Sequence, residues 1–235
     1  MLGSIDGFYD DLAPYFREYA ERRSAYLRRI DQLVAPWLTG TSLLDVGAGD
    51  GVRAKRLANG ASLERLVMVE PSHAMAALCR KLCPRVLTVP VEELELPDQT
   101  FDNVICLWNV IGHVRGFETR VDALRRMASL LADGGSLHLD VHNRYNARAY
   151  GWKTVAGNVL RDLTHPRREN GERKFELVFE GRRLQGQGYL FNPSEIARTI
   201  EAAGLRILQR EVVDYNDGAS HRSPFMGQLY FRLAS

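Results

Sequence analysis

The chain has 235 residues, 45% of them apolar and 26% charged, with 31 Lys plus Arg against 29 Asp plus Glu. That balance excludes a disordered chain and offers no strong global field for a nucleic acid or a membrane surface. No run of about 18 apolar residues predicts a membrane-spanning helix, and the acidic N-terminus lacks the basic start of a secretory signal. The cysteines, Cys79, Cys83 and Cys106, are sparse and odd in number. This usage predicts a reducing cytoplasm and no zinc site, because no second Cys/His pair follows at metal spacing.

The first 38 residues read as helix. Leu12, Phe16 and Tyr19 share one face, Tyr26, Ile30 and Leu33 repeat it, and Pro14 suggests a helix start. Ser42 to Val46 is a short apolar run ending in glycines and reads as a buried strand. A helix over Val52 to Asn59 and a strand over Leu66 to Glu70 follow. Pro71-Ser72 then opens a helix with Met75, Leu78 and Leu82 on one face. Val86 to Val89 and Phe101 to Leu107 read as the third and fourth strands. The helix from about Phe117 to Leu131 ends in a turn at Asp133-Gly134-Gly135, and Ser136 to Val141 is the fifth strand. This alternation predicts βαβ units and a parallel sheet.

The segment from about 143 to 190 breaks the alternation. It reads as an insertion with a polar stretch and a hairpin turning at Glu180-Gly181. A helix then starts at Asn192, with Pro193 at N1, Glu195 at N3 and Gly204 as its stop. Two strands, Leu205 to Tyr215 and Phe225 to Leu233, complete a single domain over 1–235, with residues 1–40 as a helical cap.

The informative stretch is Leu43-Leu44-Asp45-Val46-Gly47-Ala48-Gly49-Asp50-Gly51, where a strand turns into a helix. Its pattern is G-x-G-x-G. Val52 stands where a dinucleotide fold places its third glycine, which weakens a pyrophosphate reading. Glu70 closes the next strand about 20 residues on, where an acid can accept hydrogen bonds from ribose hydroxyls. Asp45 suits either ligand contact or an internal hydrogen bond.

With LPDQTFDNVICL and LLADGGSLHLDV downstream, in order, the stretch from about 40 to 142 resembles the class I S-adenosylmethionine-dependent methyltransferases, small-molecule type. The resemblance implies a doubly wound seven-stranded sheet whose last strand is antiparallel. It also implies a site map. Gly47, Ala48 and Gly49 would line the methionine and ribose, Glu70 would hold the ribose diol, and Pro71, Val91 and Glu92 would border the adenine. Where the family often has an aspartate for the adenine amino group, this chain has Pro90, so Glu92 or a backbone carbonyl would serve.

Leu107 and Trp108 would border the sulfonium, with Asn109 orienting substrate and His113 as a general base. Tyr9 and Tyr15 resemble the tyrosine-rich helix that closes over the cofactor, Tyr15 towards the cofactor and Tyr9 towards substrate. His142, Tyr145 and Tyr189 are further candidates for the acceptor wall. Asp140 and Asn143 flank them at the carboxyl edge of the sheet, where open α/β folds bind ligands.

The expected activity is methyl transfer from S-adenosylmethionine to a small-molecule N or O acceptor, by a monomer or homodimer, with no metal. RNA or protein substrates, a binding module without turnover, and an NAD enzyme on the same sheet are the alternatives. The basic residues Arg161, Arg167, Arg168, Arg173 and Lys174 are interleaved with acids and read as a solvated loop.

Overall fold

A computed structural model describes residues 5–97 and 99–235. Five strands run parallel: β1 (Ser42–Val46), β2 (Arg65–Val69), β3 (Val86–Leu87), β4 (Phe101–Cys106) and β5 (Leu131–Val141). After the segment that follows β5 come a hairpin, β6 (Glu172–Phe179) and β7 (Arg182–Tyr189), and then β8 (Arg206–Val213), β9 (Ser220–His221) and β10 (Gln228–Ala234). The main sheet has the order β3-β2-β1-β4-β5-β10-β8-β9, and β10 is antiparallel to both of its neighbours. The seven strands and the antiparallel last strand match the sequence reading, and two-residue β9 is an added edge. Strand order reverses direction between β1 and β4, so the ligand crevice opens at their carboxyl ends.

Alternate side chains of each central strand serve two cores. Leu44, Val46, Val104 and Cys106 pack under α6 (Phe117–Ser129) and α9 (Pro193–Ala202). Leu43 and Ile105 face the other side, against Tyr26, Ile30, Leu33 and Val34 of α3 (Ser24–Val34). At α9 the expected capping box is present: Asn192 Oδ1 accepts from the Glu195 N–H, and Glu195 Oε2 accepts from the Asn192 N–H.

Three boundaries differ from the sequence reading. A helix, Ile5–Leu12, precedes Pro14, which sits instead in a 3-10 turn leading to a further helix, Phe16–Glu21. The glycines at 134–135 do not end the helix before β5. They lie inside β5, beside an irregularity in its pairing with β4. The polar segment after β5 holds a helix the sequence did not suggest, Trp152–Thr164. Its face inverts the usual pattern, with Trp152, Leu160 and Leu163 exposed and Asn158 buried. The hairpin is a separate two-stranded sheet, and its turn residues Glu180 (φ 48°) and Gly181 (φ 79°) are both left-handed, as a tight hairpin requires.

No helix among the described residues is long and apolar enough to cross a membrane. Cys79, Cys83 and Cys106 are free and buried.

Candidate active site

β1 delivers Asp45 to the crevice and then turns sharply. The N–H groups of Gly47 and Ala48 both donate to the Val69 carbonyl, at 2.8 and 3.1 Å. The turn needs glycine for two reasons. Gly47 and Gly49 have φ of 79° and 59°, which side chains rarely adopt. A Cβ on Gly47 would also lie 2.4 Å from Val110, and one on Gly49 2.8 Å from the Phe16 ring. Glu70 locks the arrangement. Its Oε2 accepts from the Gly49 N–H at 2.8 Å and its Oε1 from the Ser72 N–H at 2.9 Å. Burial pushes the Asp45 carboxyl up to about 7, with Arg53 opposing.

Three adjoining cavities meet at Gly47. The first, about 690 Å³, is lined by Asp45, Gly47, Ala48, Gly49, Leu107 and Trp108 among others. The second, about 510 Å³, runs over Pro71, Val91, Glu92 and His113. The third, about 450 Å³, is an aromatic chamber including Phe8, Tyr9, Tyr19, Trp108, His142 and Tyr215.

The loop after β4 carries unusual backbone. Trp108 (φ 67°) and Asn109 (φ 63°) are consecutive left-handed residues, a conformation that persists only where neighbours over-determine it. Here they do. Trp108 N–H donates to Asp140 Oδ1 at 2.5 Å, and Asn109 N–H to the Asp140 carbonyl at 3.1 Å. The indole Nε1–H donates to Tyr215 Oη at 3.2 Å, and its ring stacks on Tyr19 with centroids 4.9 Å apart. Tyr26 holds Asp140 from behind, its hydroxyl donating to Oδ2 at 2.5 Å.

His113 is fixed at both nitrogens. Nδ1 lies 3.2 Å from the Gln187 carbonyl oxygen, and Nε2 lies 2.9 Å from the Tyr9 hydroxyl. A carbonyl only accepts, so Nδ1 carries the proton and Nε2 accepts from Tyr9. Burial lowers His113 to about 4, keeping the ring neutral at pH 7. His142 also lines the chamber, its ring edge-on to Tyr215 at 5.0 Å. Its Nε2 is buried with no partner among the described residues.

The residues expected at the site do not all gather there. Tyr15 stacks on Phe179 at 5.3 Å and bonds Glu180. Its neighbour Phe16 lines the cavity instead, because one residue of helical rotation separates them. Tyr145 stacks on Phe225 and donates to Asp162. Tyr189 turns into the core, its hydroxyl donating to Glu195 and Arg120 lying over its ring. Asn109 is at the chamber, but its amide is committed: Oδ1 accepts from the His142 N–H and Nδ2 donates to the Tyr189 carbonyl. It braces the loop more than it offers a contact.

Sequence reasoning passed over Phe16, Tyr19, Tyr150, Tyr215, Arg23 and Arg173, all on the chamber wall. Phe16 and Tyr19 carried a signal, their i, i+3 spacing; the others come from elements far apart in sequence.

The cradle fits an adenosyl group. The space a Cβ would fill at Gly47 and Gly49 lets a ligand reach the backbone. Glu70 presents carboxylate oxygens at the turn, the acceptor chemistry that a ribose diol calls for. No group of three or more His, Cys, Asp or Glu suited to a metal ion occurs among the described residues.

Comparison with known proteins gives the family and the fold. A family model described as a methyltransferase domain matches residues 16–210. A ubiquinone biosynthesis O-methyltransferase from Pseudomonas paraeruginosa is 29% identical over 190 residues, covering 78% of this chain and 72% of that protein. Its counterpart from Coxiella burnetii is 27% identical over 197 residues, covering 81% and 73%. A possible histamine N-methyltransferase from Thermotoga maritima shares the fold at TM-score 0.67 and 17% identity, over 98% of this chain and 99% of that one. The chain belongs to the methyltransferase-domain family and is a class I S-adenosylmethionine-dependent methyltransferase.

Proposed function

We propose that the enzyme methylates a hydroxyl or amine of a small molecule held in the aromatic chamber. The single observation that carries this reading is the hydrogen-bond chain from Tyr9 through His113 to the Gln187 carbonyl, set in a chamber of about 450 Å³. A chamber of that size, walled by the first helix, the hairpin and the Trp108 loop, suits a compact acceptor.

The bound donor supplies an electrophilic methyl carbon whose sulfur departs as a neutral thioether. The chain's own work is alignment, exclusion of water and proton handling. For a hydroxyl acceptor, methylation of the oxygen would have to be matched by loss of its proton. The acceptor proton moves to the Tyr9 oxygen while the Tyr9 proton moves to His113 Nε2. Tyr9 stays protonated, since burial pushes its phenol far up; it can only hand a proton on, and the open lone pair that receives it is Nε2 of the neutral imidazole behind it. A neutral amine needs no such relay before transfer. In this reading Asp45, Gly47, Ala48, Gly49, Glu70, Pro71, Val91, Glu92, Leu107 and Trp108 hold the donor. Tyr9 and His142 face the acceptor, residues 1–235 act as one domain, and the free cysteines suit the cytoplasm.

The test is transfer of a labelled methyl group by the full chain to a panel of small phenols, alcohols and amines, with RNA and protein extracts in parallel. Turnover on small molecules is expected. Transfer to RNA or protein alone would overturn the assignment, and so would uptake of S-adenosylhomocysteine with no transfer to anything.

A further inference from the structure

The basic run near the hairpin is divided by the fold. Arg167 and Arg168 are exposed. Arg161 and Arg173 turn inward, and both donate to one neutral atom, Asn158 Oδ1, each at 3.1 Å. Arg173 donates further to the carbonyls of Asn170 and Glu172, at 3.1 and 2.7 Å. Arg173 bonds through Nη1 and Nη2, and the buried Nε of the neighbouring Arg161 has no partner among the described residues. Their neighbour Arg144 is paired with Asp162 and Glu195; Arg161 and Arg173 form no ion pair among the described residues.

Arg173 and Asn158 line the acceptor chamber, and so does Arg23. The Arg23 guanidinium lies 4.4 Å from the Tyr215 ring centroid and donates to Asn216 Oδ1, again a neutral partner. Both arginine charges act on the phenol of Tyr150, another wall residue. The single carboxylate among the described lining residues is Glu70, which holds the glycine turn. Cations in a partly desolvated wall are costly; the Asp162 carboxylate acts on Arg173 but already pairs with Arg144, so a bound anion relieves the remaining cost.

We propose that the chamber selects an acceptor bearing a carboxylate, which Arg173 and Arg23 bind while the methyl-accepting hydroxyl or amine meets Tyr9 and His113. The proposal rests on the small-molecule reading above. A guanidinium edge matches a planar carboxylate with two parallel hydrogen bonds, which favours a carboxylate over a spherical anion.

The experiment measures binding to the full chain loaded with S-adenosylhomocysteine, by calorimetry. The probes are hydroxybenzoates and aminobenzoates, each against its carboxamide and the matching phenyl phosphate. The acid is expected to bind at least about tenfold tighter than the amide. Arg173→Gln and Arg23→Gln should each remove that preference, and exposed Arg167→Gln should keep it. Thermal melting of each variant verifies folding, and Arg23, at a partly exposed helix boundary, is the substitution that tolerates change best. Equal binding of acid and amide, no binding of any acid, tighter binding of the phosphate, or a preference that survives both substitutions overturns the proposal. Methyl transfer to the neutral amides with no acid preference would leave the small-molecule reading standing and this one refuted. No transfer to any small acceptor would instead refute the reading beneath it.

Discussion

The hydroxyl of Tyr9 lies 2.9 Å from Nε2 of His113, across 104 residues of sequence. The Gln187 carbonyl on the far side of the ring fixes the tautomer, so Nε2 is the only nitrogen able to take a proton. With a hydroxyl acceptor, His113→Asn should lower kcat by about 10²–10⁴, the usual range for a lost general base, and Tyr9→Phe should follow it. With an amine acceptor both variants should stay within about tenfold of the parent. Because burial holds His113 near 4, the wild-type rate should be flat across neutral pH and fall only as pH approaches about 4 from above. A pH–rate profile bending near 6.5 instead would mean a solvated ring.

Glu70 joins the ends of two strands by accepting from the Gly49 N–H on one side and the Ser72 N–H on the other. Glu70→Ala removes both acceptors at once and opens the turn. Affinity for S-adenosylhomocysteine should drop by about 10- to 100-fold, in keeping with hydrogen bonds to a charged group. Glu70→Gln keeps one carbonyl acceptor and should fall between. Isothermal titration checks the order; an unchanged affinity in Glu70→Ala would remove the residue from the donor site.

The glycine turn and the carboxylate beside it were legible because their signals are local. A glycine turn, and an acid about one strand–helix–strand unit later, need only the βαβ rhythm to be placed side by side. The chamber was less legible. Tyr15 and Phe16 are adjacent aromatics, and only the position of Phe179, from the distant hairpin, decides which one faces the cavity. Tyr189 looked like a wall residue and became core, since Glu195 and Arg120 hold its ring inward. The helix Trp152–Thr164 went unread because its buried side is partly polar, with Asn158 inside and Leu163 76% exposed. Periodicity reports apolar faces, and this helix turns a polar one toward the aromatic chamber.

Three shielded histidines, His138 buried and His113 and His142 half-buried, make the fold sensitive to acid. Burial lowers His113 to about 4 and His138 and His142 to about 3. The unfolded chain binds these protons from about 6.5 downward, while the native state refuses them until pH 4 or 3. The unfolded state therefore binds more protons in that window, and stability falls as pH drops from about 6.5. The slope is about 1.4 kcal/mol per pH unit for each such group. Asp45, raised to about 7, works the other way, since the native state takes its proton first. His138 sits between Ser136 Oγ at 3.0 Å and Tyr230 Oη at 2.8 Å, away from the chamber wall. His138→Gln should therefore flatten the acid slope by one such increment in urea melts from pH 5 to 7. An unaltered slope would contradict a neutral His138.

Tyr26 and Asp140 form the post on which the Trp108 turn rests. Neither side chain reaches solvent, and the carboxylate divides its oxygens between the Tyr26 hydroxyl and the Trp108 N–H. Burial raises the Asp140 pKa, while Arg53, Tyr26 and the Trp108 N–H hold it down. Tyr26→Phe keeps the ring and its packing but strips one donor from a buried charge, which should cost about 1–3 kcal/mol. The pKa of Asp140 should rise further, because a donor that favours the ionised form has gone. Its grip on the Trp108 N–H then weakens, and two consecutive left-handed residues lose the restraint that offsets their strain. Trp108 borders the cavity proposed for the donor, so the loss should also appear as weaker S-adenosylhomocysteine binding, with a shift in tryptophan fluorescence. Should Tyr26→Phe melt within about 0.5 kcal/mol of the parent and bind the ligand unchanged, the Trp108 turn does not depend on the Tyr26 hydroxyl.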